Sequence, residues 1–213
     1  MTARKIIPNM RAAARARLLT LALPVSAIPG NAVIAGDTLT AAGEDFEADG
    51  HGPGDYVVLA GFSAANNGLH RLEGVAGNTL TFGRALTNQT VTGGSVTAYM
   101  PQVAWERETF HPVEGVPFIS EVFRRIGGKP ILFGGQWRHD LLLSLTLQWP
   151  SGQGTLGIES MAGRLLELYR PGTGLSFGGN VGKVASADQA PLNEESVWTA
   201  CAVTASVTAW TEN

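Results

Sequence analysis

Four histidines, one cysteine and a run of alternating carboxylates are the residues from which this chain could build chemistry, and their spacing argues against most of it. His51, His70, His111 and His139 are scattered, with no His-x-His or HExxH pattern, so no catalytic metal is expected. His139 and Asp140 open an alternating stretch in which adjacent residues point to opposite faces, which parts a cooperating acid–base pair. The single Cys201 excludes an internal disulfide framework and a cysteine-based zinc site. Its place in an apolar alternation marks a small core hydrophobe. Asp45, Glu47 and Asp49 alternate beside Gly50-His51-Gly52, like the opening of a calcium loop. The EF-hand order, which ends on a glutamate at loop position 12, does not follow. A solvated acidic loop is expected there.

The glycine-rich pieces do not read as phosphate cradles. Gly172-Thr173-Gly174 and the stretch from Gly178 to Lys183 lack the GxxxxGK[ST] order, and neither lies between a strand and a helix. The Lys183 segment reads instead as a strand with a bulge. Ser151 and Ser160 lack the setting of a nucleophile elbow. A Ser/His/Asp triad gathered from distant positions stays open, with nothing in the spacing to favour one. No catalytic residue and no cofactor is expected.

Bulk properties frame the elements that would position any site. The 213 residues are 44% apolar and 15% charged, enough for a buried core and against wholesale disorder. The 27 glycines and 11 prolines call for many turns and a β-rich body, and the net charge of −3 gives no broad basic face for nucleic acid. Arginines interleaved with alanines precede the apolar run Leu18 to Ala27, so a cytoplasmic amphipathic helix is the better reading than a signal peptide. No apolar run reaches the length of about 18 residues that a membrane span requires. A soluble chain with no membrane partner is expected.

Met10, Ala14, Arg17, Leu18 and Leu21 recur at helical steps, predicting a first helix over residues 9–23, closed by Pro24 and then Pro29-Gly30. Its arginines are expected on a solvated face. Between Asp37 and Met100 the texture changes to short strands: 38–42, 55–60, 69–75 turning into 79–82, and 95–99. These predict a small antiparallel barrel or sandwich. The main body resumes with an alternating strand over 117–126. Gly134-Gly135 and Gln136 then lead into a long strand from Trp137 to Trp149, with Leu141, Leu143, Leu145 and Leu147 on one face. Ile158, Met161, Ala162, Leu165, Leu166 and Tyr169 make the stripe of a second helix. In the last strand Val197, Thr199, Cys201, Val203, Ala205 and Val207 share a face, with Trp198 and Trp210 on the other. The class expected is α+β: a mainly antiparallel or mixed sheet flanked by two helices (1–30 plus 101–213), with an inserted all-β module (37–100).

From Val103 to Trp210 the order of features resembles the tail terminator, or tail completion, proteins of long-tailed bacteriophages. The residues carrying the resemblance are Trp149-Pro150-Ser-Gly-Gln-Gly154 at a strand-to-helix turn, Met161-Ala162 and Leu165-Leu166, Tyr169-Arg-Pro-Gly172, Pro191-Leu-Asn and Trp198. The stretch from Gly54 to Leu72 looks like small β modules that decorate phage tail proteins. The resemblance implies a non-enzymatic ring of six subunits at the head-proximal end of the tail tube. Its implied partners are itself, the tail tube protein, the head-completion or connector protein and the tape-measure protein, with DNA passing through the lumen unbound. It implies a place in the virion tail and assembly in the bacterial host cytoplasm. Another tube or head–tail joining protein is the alternative. A carbohydrate-binding or hydrolytic module built on the 37–99 insertion is a further one; its only aromatics for sugar stacking are Phe46, Tyr56, Phe62, Phe82 and Tyr99, most at expected core positions. Candidate contact residues are Arg124 and Arg125, adjacent on a strand, and the aromatic anchors Trp137 and Trp210. A weak surface ion pair and core packing are the plainer alternatives.

Overall fold

The computed structural model describes residues 5–131 and 137–211. Gly134, Gly135 and Gln136 of the expected turn lie outside the described residues. In chain order the elements are α1 (Ile6–Leu18), β1 (Val25–Ala27), β2 (Asn31–Ala35), β3 (Thr38–Ala41), β4 (Tyr56–Ala60), β5 (Gly68–Ala76), β6 (Thr79–Phe82), β7 (Gln89–Thr92) and β8 (Ser95–Ala98). There follow β9 (Gln102–Ala104), β10 (Phe118–Pro130), β11 (Trp137–Pro150), α2 (Leu156–Leu168), β12 (Gly174–Phe177), β13 (Asn180–Gln189), β14 (Asn193–Glu194) and β15 (Trp198–Thr211). The class is α+β, as expected. The chain divides into two compact units: Met1–Leu21, Pro101–Ser151 and Met161–Asn213 form one, and Ala22–Met100 with Gly152–Ser160 the other.

The larger unit is built on a seven-stranded sheet in the order β12-β13-β15-β11-β10-β9, with β14 beside β15. All its pairings are antiparallel except β9 with β10. The central pair runs in unbroken register from Trp137 opposite Thr211 to Pro150 opposite Trp198. Strict alternation sends Leu141, Leu143, Leu145, Leu147 and Trp149 inward with Cys201, Val203, Ala205 and Val207, all nearly solvent-free. Val197 lies one residue before β15 and is exposed, so it is not part of that inner row.

The first helix begins three residues earlier than the spacing suggests and stops at Leu18, where Thr20 and Leu21 close it with tighter bonds to Arg17 and Leu18 carbonyls. Pro8 falls in the first turn, where its missing N–H costs nothing. Ile6, Met10, Ala13, Ala14 and Leu18 form the buried stripe. Gly182 of β13 allows the close approach of this helix: a Cβ there would stand 2.8 Å from Met10 Sδ. In α2, Ile158, Met161, Ala162, Leu165 and Leu168 are buried, and the Tyr169 hydroxyl donates to the Ala14 carbonyl at 2.6 Å.

The smaller unit is one antiparallel sheet of eight short strands, ordered β1-β8-β4-β5-β6-β3-β2-β7. Residues from nearly the whole of that order, including Ile28, Ile34, Leu39, Val57, Leu72 and Val96, meet in a single buried cluster. Such a sheet serves one core only by curling around it. The bonds from Ile28 N–H to Gly94 O and from Gly93 N–H to Gly30 O help to hold the curl. The short strands β1, β2 and β7 were not anticipated, because Pro24 and Pro29-Gly30 read as a linker and three to five residues carry little periodicity.

Candidate interaction surface

The residues singled out for chemistry are held apart. His51, His70 and His139 are each at most 3% exposed, and His111 lies on the surface. Among the described residues no group of three His, Cys, Asp or Glu side chains converges as a metal site. His70 Nε2 donates to the Asn66 carbonyl at 2.8 Å, and its ring packs edge-on against Phe82. Burial, with a smaller contribution from Arg84, holds its pKa below the ordinary histidine value against the Asn66 bond. His139 lies 3.0 Å from Thr211 Oγ1, and its pKa is also lowered, by burial first and then by Arg125.

One serine, one histidine and one aspartate do come together, at Ser26, His51 and Asp49. Ser26 Oγ lies 2.5 Å from Asp49 Oδ2 and 3.1 Å from His51 Nε2. The serine therefore stands in the middle of the three. A nucleophile arrangement puts the imidazole there to take the proton, with the acid behind it. Here the trio ties β1 to the acidic turn.

The arginines of α1 correct the expectation of a solvated face. Arg11 Nη2 lies 2.8 Å from Glu106 and also donates to the Phe123 carbonyl at 2.8 Å. Arg15 Nη2 meets the buried carboxylate of Glu121 at 3.0 Å, and its Nη1 meets Glu108 at 2.9 Å. Its guanidinium lies 4.6 Å from the Trp105 ring centroid. Burial works against the charge on Arg15, but Glu121 and then Glu108 outweigh it, and its pKa is raised. Helical spacing puts Arg11 and Arg15 on one side of α1; only the folded sheet brings β10 and the segment after β9 to meet them.

The sheet of the larger unit has one buried face and one open face. Leu142, Ser144 and Thr146 of β11 stand on the open face beside Ala202, Thr204 and Ser206 of β15, with Ser120 and Val122 of β10 completing the row. All are half-exposed and none is charged. Trp210 is 40% exposed at one end of that face, flanked in register by Arg138 and Val181. Trp137, 37% exposed, sits at the same end opposite Thr211, so alternation points the two tryptophans to opposite faces. Arg124 and Arg125 are both exposed, because they lie near the end of the sheet where β10 shifts register between Arg125 and Gly127. Arg124 is opposite Leu142, several residues from Trp210 along the strands.

The spacing did not reveal that Lys183, Arg138, Pro171 and Val181 gather around Trp210. The alternation of β15 signals Trp210; its neighbours come from three other segments of chain. Phe46, Tyr56, Phe62 and Phe82, which a sugar-binding module would need exposed and most of which were expected in the core, are all at most 8% exposed, and Tyr99 is half-buried. They are core residues, which removes the stacking platform.

A family model described as phage tail terminator protein matches residues 84–206, more than half of the chain. No curated protein matches. A solved structure without a functional description is similar at 16% identity and a TM-score of 0.38, over 51% of this chain and 79% of its own. A likeness that distant carries no functional argument.

Proposed function

Because the chain belongs to the phage tail terminator family, and is thereby a structural protein of the bacteriophage tail, we propose that it closes into a ring on the head-proximal end of the tail tube. The ring, of six subunits, stops tube polymerisation and presents its opposite face to the head-completion protein. The observation that carries this reading is the one-sided sheet: an inner face fully packed, and an outer face whose central row is uncharged and ends at an exposed tryptophan. A ring needs two different surfaces on each subunit that complement each other around a closed rotation. That row has no charge to desolvate on contact, and aromatic residues such as Trp210 anchor interface cores. The slight negative charge of the whole chain agrees with a lumen through which DNA slides without phosphate contacts.

Electron microscopy of tail tubes mixed with the purified protein tests the proposal. Rings at one tube end and arrested growth are expected. Tubes that lengthen unchanged would overturn it, and filaments of this protein alone would assign it to the tube itself.

A further inference from the structure

Beside the uncharged row of the open face, and sharing Trp210 with it, the larger unit carries a basic groove. A cleft of about 600 Å³ is lined by Arg138, Pro171, Gly172, Lys183, Thr208 and Trp210. A second, smaller cleft shares Pro171 and Gly172 with it and adds Arg17 and Arg170. Arg138 is paired with Asp140 and Arg170 with Glu167. Among the described residues Lys183 and Arg17 have no carboxylate within ion-pair distance. The groove is therefore positive, and Trp210 and Pro171 give it apolar walls, which suit a protein segment better than a phosphate backbone.

The same chain carries the complementary surface. Residues 22–100 hold seven Asp or Glu against two Arg, a net charge of −5 within a chain of net −3. Four of the seven lie in the turn at residues 44–49, and none of these four pairs with a cation among the described residues. That turn is rigidly presented. Phe46 is fully buried, the Ala48 N–H donates to Asp45 at 3.0 Å, and Asp49 is held by Ser26. Asp45 and Asp49 each spend one oxygen on these bonds, so Glu44 and Glu47 are the carboxylates of the turn with both oxygens uncommitted among the described residues. A pre-ordered charged knuckle binds with little further loss of conformational freedom.

We infer that the groove around Lys183 and Trp210 receives the acidic turn at residues 44–49 of a second copy of this chain. This rests on the ring reading only in placing the contact between copies. Complementary charge of this kind fixes which surfaces meet and in what register.

Zero-length carbodiimide coupling of a one-to-one mixture of light and heavy-isotope full-length protein tests it, with the protein alone and bound to tail tubes. The expected product joins Lys183 to Glu44 or Glu47 with one light and one heavy half. Lys183→Glu has no amine there to couple, so its readout is association: it should weaken self-association at least tenfold, and mixing Lys183→Glu copies with Glu44→Lys/Glu47→Lys copies should restore association of the two. Links confined to one isotope, links from Lys183 to other carboxylates, or no link in either preparation would overturn the inference. So would Lys183-dependent retention of duplex DNA without the inter-copy link. Intact rings without the link sink this inference alone; the link without tube capping sinks the terminator reading alone.

Discussion

Removing the carboxylate of Glu121 is the sharpest test of how the first helix is held. The side chain is 1% exposed, and its Oε2 accepts from both Arg15 Nη2 at 3.0 Å and the Glu106 N–H at 3.2 Å. Among the described residues its Oε1 has no hydrogen-bond donor, and it stands 4.0 Å from Arg11 Nε. Breaking a buried ion pair by deleting one partner costs about 3–5 kcal/mol, because the remaining charge is left desolvated. Arg15 is 24% exposed and keeps Glu108, so Glu121→Ala should fall at the lower end, about 3 kcal/mol. Glu121→Gln retains an acceptor at Oε2 and loses only the charge, for about 1–2 kcal/mol, the gap between charged and neutral hydrogen bonds. Arg15→Met with Glu121→Gln removes both charges while still satisfying the Glu106 N–H. It should recover at least half of the Glu121→Ala loss, since the incomplete geometry at Oε1 makes this a pair that apolar packing can replace. All five tryptophans lie outside the smaller unit, so urea unfolding followed by tryptophan fluorescence reports the larger unit directly. A loss below about 1 kcal/mol for Glu121→Ala, or a double variant less stable than Glu121→Ala, would refute the argument.

Three further outcomes are expected. His70 has a lowered folded pKa, so the unfolded chain takes up its proton first; the smaller unit should lose stability as pH falls below about 6.5 toward that folded value and keep full stability above it. In His70→Gln, which keeps the donor to Asn66, hydrogen exchange of β4 and β5 should show a weaker dependence over that interval, and an unchanged dependence would exclude His70 as its source. Gly61 has φ +87°, and a Cβ there would lie 2.9 Å from Gly94 Cα, so Gly61→Ala should destabilise the smaller unit by more than about 1 kcal/mol; a neutral result in thermal denaturation would show that the corner relaxes. Trp210→Ala should weaken self-association by about 2 kcal/mol, roughly thirtyfold, without lowering the unfolding midpoint; unchanged sedimentation would remove Trp210 from the interface.

The long strands β10, β11 and β15 and both helices were legible because their patterns are long and local, whereas β9, β12 and β14, of two to four residues, were not. Five inward residues at every second position of β11 leave a single solution for its face, and the stripe of α2 leaves a single solution for its buried side. The module was legible as short strands and turns but incompletely, since β1, β2 and β7 are too short for period to separate them from linker. The Arg11 and Arg15 pairs were not legible at all. Their carboxylates lie some 90 to 110 residues away along the chain, and spacing within a helix says nothing about distant partners.

Residue order alone therefore determined the class of fold, the buried faces of its long elements and the absence of any close-spaced metal or nucleophile motif, because each follows from periodicity within a few turns of chain. Tertiary structure decided which charges are paired, that Ser26 stands between His51 and Asp49, and that Lys183, Arg138 and Trp210 share one groove. Those depend on register between segments far apart in sequence, where a shift of one residue turns every side chain to the other face.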